Sequence, residues 1–263
     1  MTDEPYRWVE AIANRREYIE GQLAGGSPIA AVSYREGILL LTLSRERQKI
    51  FEIYDCIAMG AIGHPGDIER LRMAAIEVAS TEGFTRSAAD VSLRRLVSFS
   101  LSPALKAAFE QIYGAPYLTR MLFAELGQNG ERNLFLRIDY DGSMHSNGGG
   151  NSARLRTFED FGAISGTSAS TTAMERFLRT QNLPEVSRAE ALRIALDAWT
   201  VGHLALGEEA REELPSEAQI SEHRTGQLAS AVIEAVVLEH GAHARIKYRQ
   251  LGNEEFAPFA AAE

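Results

Sequence analysis

Apolar and polar positions along the chain repeat with two distinct periods. Trp8, Ile12, Ile19 and Leu23 recur at helical spacing, with Arg15, Arg16, Glu17 and Glu20 between them. That pattern predicts an amphipathic helix from about Glu10 to Leu23, ended by Gly25-Gly26. The stretches PIAAVSY and ILLLTL then form short apolar runs around Arg35-Glu36-Gly37, as expected of a β-hairpin buried on both faces. KIFEIYD and CIAMGAIG predict a second strand pair. Asp67 is expected to cap a helix carrying Ile68, Leu71, Ala75 and Val78 and closed near Gly83. Another helix is predicted over Ser87–Tyr113, interrupted at Ser102-Pro103 because proline removes a donor and crowds the preceding turn.

Strands return with YLTRMLFAEL and NLFLRIDYDGSMH, the latter holding a tight turn at Asp141-Gly142. SNGGGNS (Ser146 to Ser152) reads as a flexible surface loop, and DFGAISG as a short strand leading into the helix SASTTAMERFLRT. The next helix opens with the capping box Ser187-Arg188-Ala189-Glu190 and runs through Leu192, Leu196 and Trp199. SAVIEAVVLEH and ARIKYRQL predict two closing strands around Gly241, with residues 252–263 as a disordered tail. Clustered strands alternating with helix pairs argue an α+β fold, in which helices cover both outer faces of stacked sheets.

Composition narrows the class without naming a function. At 263 residues the chain accommodates one large domain or two small ones and can bury a substantial core. A net charge of −9 argues against a broad nucleic-acid surface, which needs a basic stripe. Cys56 is the only cysteine, so no intrachain disulfide can form. The N-terminal segment has no uninterrupted apolar stretch of the kind a leader carries, and no run approaches membrane length. A cytoplasmic protein without membrane or nucleic-acid partners is expected.

Most candidate chemistry reduces to ordinary structure. Gly166 to Ser170 (GTSAS) lies between a strand and a helix as a nucleophile elbow would, yet lacks the glycine two residues after the serine. Glu239-His240 with His243 has metal-ligand spacing, but Gly241 makes it a hairpin tip and no second cluster accompanies it. His145 and His64 are isolated loop histidines, and GGGNS lacks the lysine and context of a phosphate loop. No metal or cofactor is expected. Ser27, after Gly25-Gly26, poses the sharper question of a nucleophile exposed by cleavage against a buried strand residue.

The Gly26–Ser27 junction, the two buried strands after it, and then QKIFEIYD and AMGAIGHPGDIERLR resemble the core of a proteasome subunit. The likeness continues through EVASTEGF, DYDGSM, AISGTSASTTAMERFL and SRAEALRIALDAW, spans about Trp8 to Leu251, and is nearest the bacterial α-type subunits. It implies the four-layer αββα sandwich of the N-terminal nucleophile hydrolases, with residues 1–251 as a single domain. Catalytic β-type subunits begin the hairpin with a threonine whose freed amine serves as base, and place an aspartate on the second strand. Here Ser27 precedes Pro28, and Leu41-Thr42-Leu43-Ser44 contains no carboxylate, so Ser27 is expected to be a strand residue. The alternatives are a hydrolase using Ser27 after loss of Met1 to Gly26, and a stand-alone binding protein on this fold.

The resemblance therefore implies a non-catalytic subunit of an outer homo-heptameric ring. That ring stacks on β-type subunits, gates substrate access, docks an AAA ATPase ring and admits unfolded, tagged protein. Lys49 matches the pocket lysine that receives an activator's C-terminal carboxylate, and Gly63 with His64 in the turn after it matches the pocket's glycine wall. His64-Pro65 departs from the family's usual residues after that glycine. Met1, Thr2, Asp3, Glu4, Pro5, Tyr6 and Arg7 would form the gate, without the Tyr-Asp-Arg pattern that orders gates in other relatives. Trp8, Ile12 and Ile19 would pack against the neighbouring subunit of the ring.

Overall fold

The computed structural model describes residues 4–44, 47–111, 113–128, 130–146, 160–207, 213–241 and 246–260, with backbone alone at 4–7 and 257–260. Helix α1 (Glu4–Leu23) leads into the hairpin β1 (Ile29–Tyr34) and β2 (Gly37–Ser44), then β3 (Ile50–Tyr54) and β4 (Ile57–Gly63). A helical block follows as α2 (Pro65–Thr85), α3 (Leu93–Leu96) and α4 (Ser102–Glu110). Strands β5 (Thr119–Glu125), β6 (Leu134–Ile138), β7 (Met144–Ser146) and β8 (Phe161–Ile164) come next. The chain continues through α5 (Ser168–Arg179), α6 (Arg188–Leu204), α7 (Glu217–Leu228), β9 (Val232–Glu239), β10 (Tyr248–Gln250) and α8 (Asn253–Ala260).

Two antiparallel five-stranded sheets result, ordered β10-β9-β2-β1-β8 and β3-β4-β5-β6-β7. Side chains alternate across each strand, so every strand of the hairpin feeds two layers. Ala30, Val32, Tyr34, Leu39 and Leu41 join Met174, Leu178, Ala195 and Trp199 of α5 and α6 in one outer layer. Ile29, Ala31, Ile38 and Leu40 join Leu122, Ala124 and Phe135 between the sheets. The second sheet turns Met59, Ala61, Met121 and Phe123 outward against Leu71 and Ala75 of α2 and Leu93 and Leu105 of the helical block. This is the expected αββα sandwich, and its strands look apolar on both faces because both faces are covered. The hairpin turns tightly at Arg35-Glu36, and a Cβ on Gly37 would lie 1.9 Å from the Leu238 carbonyl oxygen, so only glycine lets β2 start beside β9.

Several local expectations are corrected. Helix α1 begins at Glu4, so Glu4–Arg7 of the expected gate continue the helix rather than precede it. Ile19 is fully buried between the sheets, and Ile12 packs partly against the same layer. Ile19 therefore anchors α1 to its own chain; among the described side chains of α1, Trp8, Val9 and Tyr18 are the large apolar residues that face outward. The N-cap of α2 is His64, not Asp67, whose carboxylate accepts the Leu118 N–H at 3.0 Å. The predicted break at Pro103 is a wide π turn over Val97–Leu101, which leaves room for a residue that cannot donate to the preceding turn. Ser187 caps α6 through the Glu190 N–H, but the Glu190 carboxylate pairs with Arg193 instead of closing the box. His145 lies on β7, 3.8 Å from Asp139, rather than in a loop. The glycine-rich stretch beyond Ser146, and His243, lie outside the described residues.

Residues 253–260, expected within a disordered tail, form α8, and Phe256 is buried in the outer layer with Leu192 and Val237. Truncating a buried phenylalanine costs about 3–5 kcal/mol through lost transfer energy and the cavity left behind. Phe256→Ala should accordingly lower the urea midpoint of unfolding by a clear margin at unchanged slope. A midpoint equal to the parent's would mean that α8 does not pack.

Candidate docking cleft

The α1–β1 junction, the end of β2, the start of β3 and the β4–α2 turn enclose a cleft of about 820 Å³, into which Trp199 and His203 of α6 also face. Ser27, Ser44, Lys49 and Gly63 all line it. The fold brings them together because β2 and β3 are consecutive but lie in different sheets, so the segment joining them crosses the sandwich edge.

Ser27, expected within a strand, lies two residues before β1, and it is held on both sides. Its hydroxyl donates to the Leu43 carbonyl at 2.9 Å and accepts the Trp199 Nε1–H at 3.1 Å. Thr42, fully buried, donates to the Pro28 carbonyl at 2.7 Å, which fixes the strand start from the other direction. Ser44 closes a local turn by donating to the Arg47 carbonyl at 2.5 Å and accepting the Arg47 N–H at 3.2 Å. The Ser27 proton is directed to a backbone carbonyl rather than to a basic nitrogen or a carboxylate, an arrangement that positions a strand and does not activate an oxygen.

Lys49 is half-buried, and its backbone is fixed by a partner from a distant part of the chain. The Glu234 carboxylate on β9, opposite Thr42, accepts the Lys49 N–H at 3.0 Å and the Ile50 N–H at 2.8 Å. Burial lowers the pKa of the Lys49 amine, with the Glu234 charge acting in the opposite direction. Burial raises the Glu234 carboxyl, opposed by those two backbone donors and by Lys49. Among the described residues, no hydrogen bond or ion pair involves Lys49 Nζ, so the amine is left to face the cleft. Gly63 has φ +135°, and a Cβ there would stand 2.0 Å from the Leu118 carbonyl oxygen, so the wall requires glycine. His64 starts α2 with extended backbone and lies off the cleft, whose wall continues through Pro65, Ile68 and Glu69.

Sequence reasoning missed Glu234, Arg47 and the aromatic end of the cleft. Trp199 stacks on His203 at 4.7 Å between ring centres, and His203 Nδ1 lies 2.8 Å from His223 Nε2 on α7. Glu234 did carry a signal, as the single acid inside the apolar run VIEAVV. Among the described residues no group of three or more His, Cys, Asp or Glu side chains could hold a metal ion, and no helix is long and apolar enough to cross a membrane.

Comparison with known proteins agrees with this architecture. The family model "Proteasome subunit" matches residues 24–204. The proteasome subunit alpha of Acidothermus cellulolyticus is 28% identical over 214 residues, covering 81% of this chain and 84% of that protein. That of Frankia casuarinae is 31% identical over 195 residues, covering 73% and 75% respectively. That of a Parafrankia species is 30% identical over 195 residues, covering 73% and 74%. With the matched segment running from the α1–β1 junction to the end of α6, the chain belongs to the proteasome subunit family, among its bacterial α-type members.

Proposed function

We propose that copies of this chain form the outer, non-catalytic heptameric ring of a cytoplasmic bacterial proteasome. The ring stacks on β-type subunits that carry the nucleophiles, restricts access through its N-terminal segments, and docks an AAA ATPase ring that feeds it unfolded, tagged protein. The observation that carries the docking reading is the Lys49 amine, half-buried in an open cleft with no hydrogen bond or ion pair at Nζ among the described residues. Glu234 acts on it only through its charge, its carboxylate being occupied by the Lys49 and Ile50 N–H groups, so the amine keeps its donors for an incoming carboxylate. Trp8, exposed on α1 together with Val9 and Tyr18, is the residue this reading assigns to contact with a neighbouring subunit. The docking reading is tested by ATPase binding to rings that carry Lys49→Ala.

The non-catalytic reading rests on Ser27. Ser27→Ala removes one hydroxyl and leaves the Leu43 carbonyl and the Trp199 indole N–H without it, which costs about 1–3 kcal/mol of stability. Peptidase activity of the particle co-assembled with β subunits should stay at the parent level, and an active-site electrophile should not label Ser27. Loss of activity to background would make Ser27 a nucleophile and overturn the assignment.

A further inference from the structure

Only three of the chain's 27 basic residues are lysines, at positions 49, 106 and 247. Arginine supplies nearly every ion pair described in the fold, as at Arg72–Glu69, Arg120–Asp139 and Arg224–Asp197. Where a site needs only a fixed cation against a carboxylate, the planar guanidinium is the better partner, because it offers two parallel donors and never loses its charge. What lysine offers instead is an amine that can shed its proton and act as a nucleophile.

The three amines have different surroundings. Lys247 Nζ sits 3.1 Å from the Asp55 carboxylate and 3.0 Å from Cys56 Sγ; burial works to lower its pKa, but these contacts outweigh burial and raise it. Lys106 is exposed on α4, 3.8 Å from Glu110. Lys49 and Lys247 are both half-buried, but only Lys49 opens into the cleft without a hydrogen bond or ion pair at Nζ among the described residues, while burial favours its neutral form. Arg47 lines the same cleft and supplies a fixed positive charge two residues away.

We propose that Lys49 is an acylation site, and that its co-reactant is a small acyl phosphate. The free amine attacks the carbonyl carbon, forming the C–N bond. The bond from that carbon to the phosphate oxygen breaks, inorganic phosphate departs past Arg47, and the proton lost from the nitrogen passes to the phosphate. The product is a neutral amide. This inference rests on the docking reading for its consequence, since acylation removes the charge that would meet an activator carboxylate, and a ring so modified is disengaged from its ATPase.

The experiment exposes assembled rings of the full chain to acetyl phosphate and follows each lysine by peptide mass spectrometry. At pH 7.5 Lys49 should be acetylated at least about fivefold faster than Lys106 or Lys247, and the ratio to Lys106 should narrow as pH rises and the exposed amine also deprotonates. Glu234→Gln, which removes the charge opposing deprotonation, should increase the Lys49 rate further. Lys106 or Lys247 reacting as fast as Lys49, or a ratio that does not change with pH, would overturn the proposal. ATPase binding is measured in parallel on acetylated parent rings and on Lys49→Arg rings given the same treatment. Rapid acetylation of Lys49 that leaves binding intact would sustain the site and sink the docking reading. Slow acetylation, with binding lost in Lys49→Ala, would sustain docking and sink the site.

Discussion

Arg120→Met should destabilise this chain by about 3–5 kcal/mol, among the largest effects expected of any single substitution in it. Arg120 is 4% exposed, and its guanidinium bonds the Asp139 carboxylate, the Ser165 carbonyl at 2.8 Å and Glu20 at 3.2 Å. Tyr140 donates to the same Glu20 carboxylate at 2.8 Å. One side chain thus ties α1, the end of β6 and the turn before α5 to β5. Burial alone would favour its neutral form, but Asp139 and Glu20 outweigh that and raise its pKa. Methionine fills similar space yet takes the guanidinium from Asp139 and from Glu20, which keeps only Tyr140, and leaves the buried Ser165 carbonyl without that donor. At about 2–4 °C per kcal/mol for a chain of this size, the midpoint should fall by roughly 10 °C. Adding Glu20→Gln and Asp139→Asn should recover part of the loss, since it removes the unpaired charges. A loss below about 1 kcal/mol for the single variant would show the network to be solvent-screened rather than buried. If Trp8 packs against a neighbouring subunit as proposed, the same variant should also weaken ring formation, because the network anchors α1.

The layers of this fold were legible because their signals are local. The hairpin Ile29–Ser44, the strand pair Ile50–Gly63 and the Asp141-Gly142 turn each declare themselves within a few residues. Helix α7 did not, because Ile220 is its only buried residue and its surface is polar nearly all round, which leaves no periodicity to read. Its capping box, Ser216 with Gln219, was present in the sequence and is fully formed in the structure. Helix α8 is short and hangs on Phe256, so composition alone suggested a tail. Asp67 has the chemistry of a cap, but the Leu118 N–H brought up by β5 claims it. In the cleft, Lys49 and Gly63 could be assigned from motif order, whereas Glu234 stands 185 residues from Lys49 and reaches it only through sheet pairing. His64 fell off the site because the turn at Gly63 directs the chain straight into α2.

Lys49→Ala should abolish ATP-dependent protein degradation while the ring still forms. If the Lys49 amine meets an activator's terminal carboxylate, alanine leaves that carboxylate desolvated and unpaired, at about 2–5 kcal/mol per tail. If several tails engage one ring, these losses compound through effective concentration, and binding should drop below detection rather than merely weaken. The backbone contacts of Lys49 with Glu234 do not need its side chain, so the cleft keeps its shape and size-exclusion chromatography should show the parent assembly. Lys49→Arg should restore part of the binding, because charge is kept although the guanidinium is longer and planar and presents its donors at a different point of the cleft. Deletion of Met1 to Arg7 tests the proposed gate. It trims the first turn of α1 and the residues before it without touching the cleft, and should raise cleavage of small peptides in the absence of any activator. Normal ATPase binding by Lys49→Ala would remove the lysine from docking. A truncated ring that cleaves no faster than the parent would remove the N-terminal segment from gating, and either result leaves the assignment of the fold and the Ser27 prediction standing on their own observations.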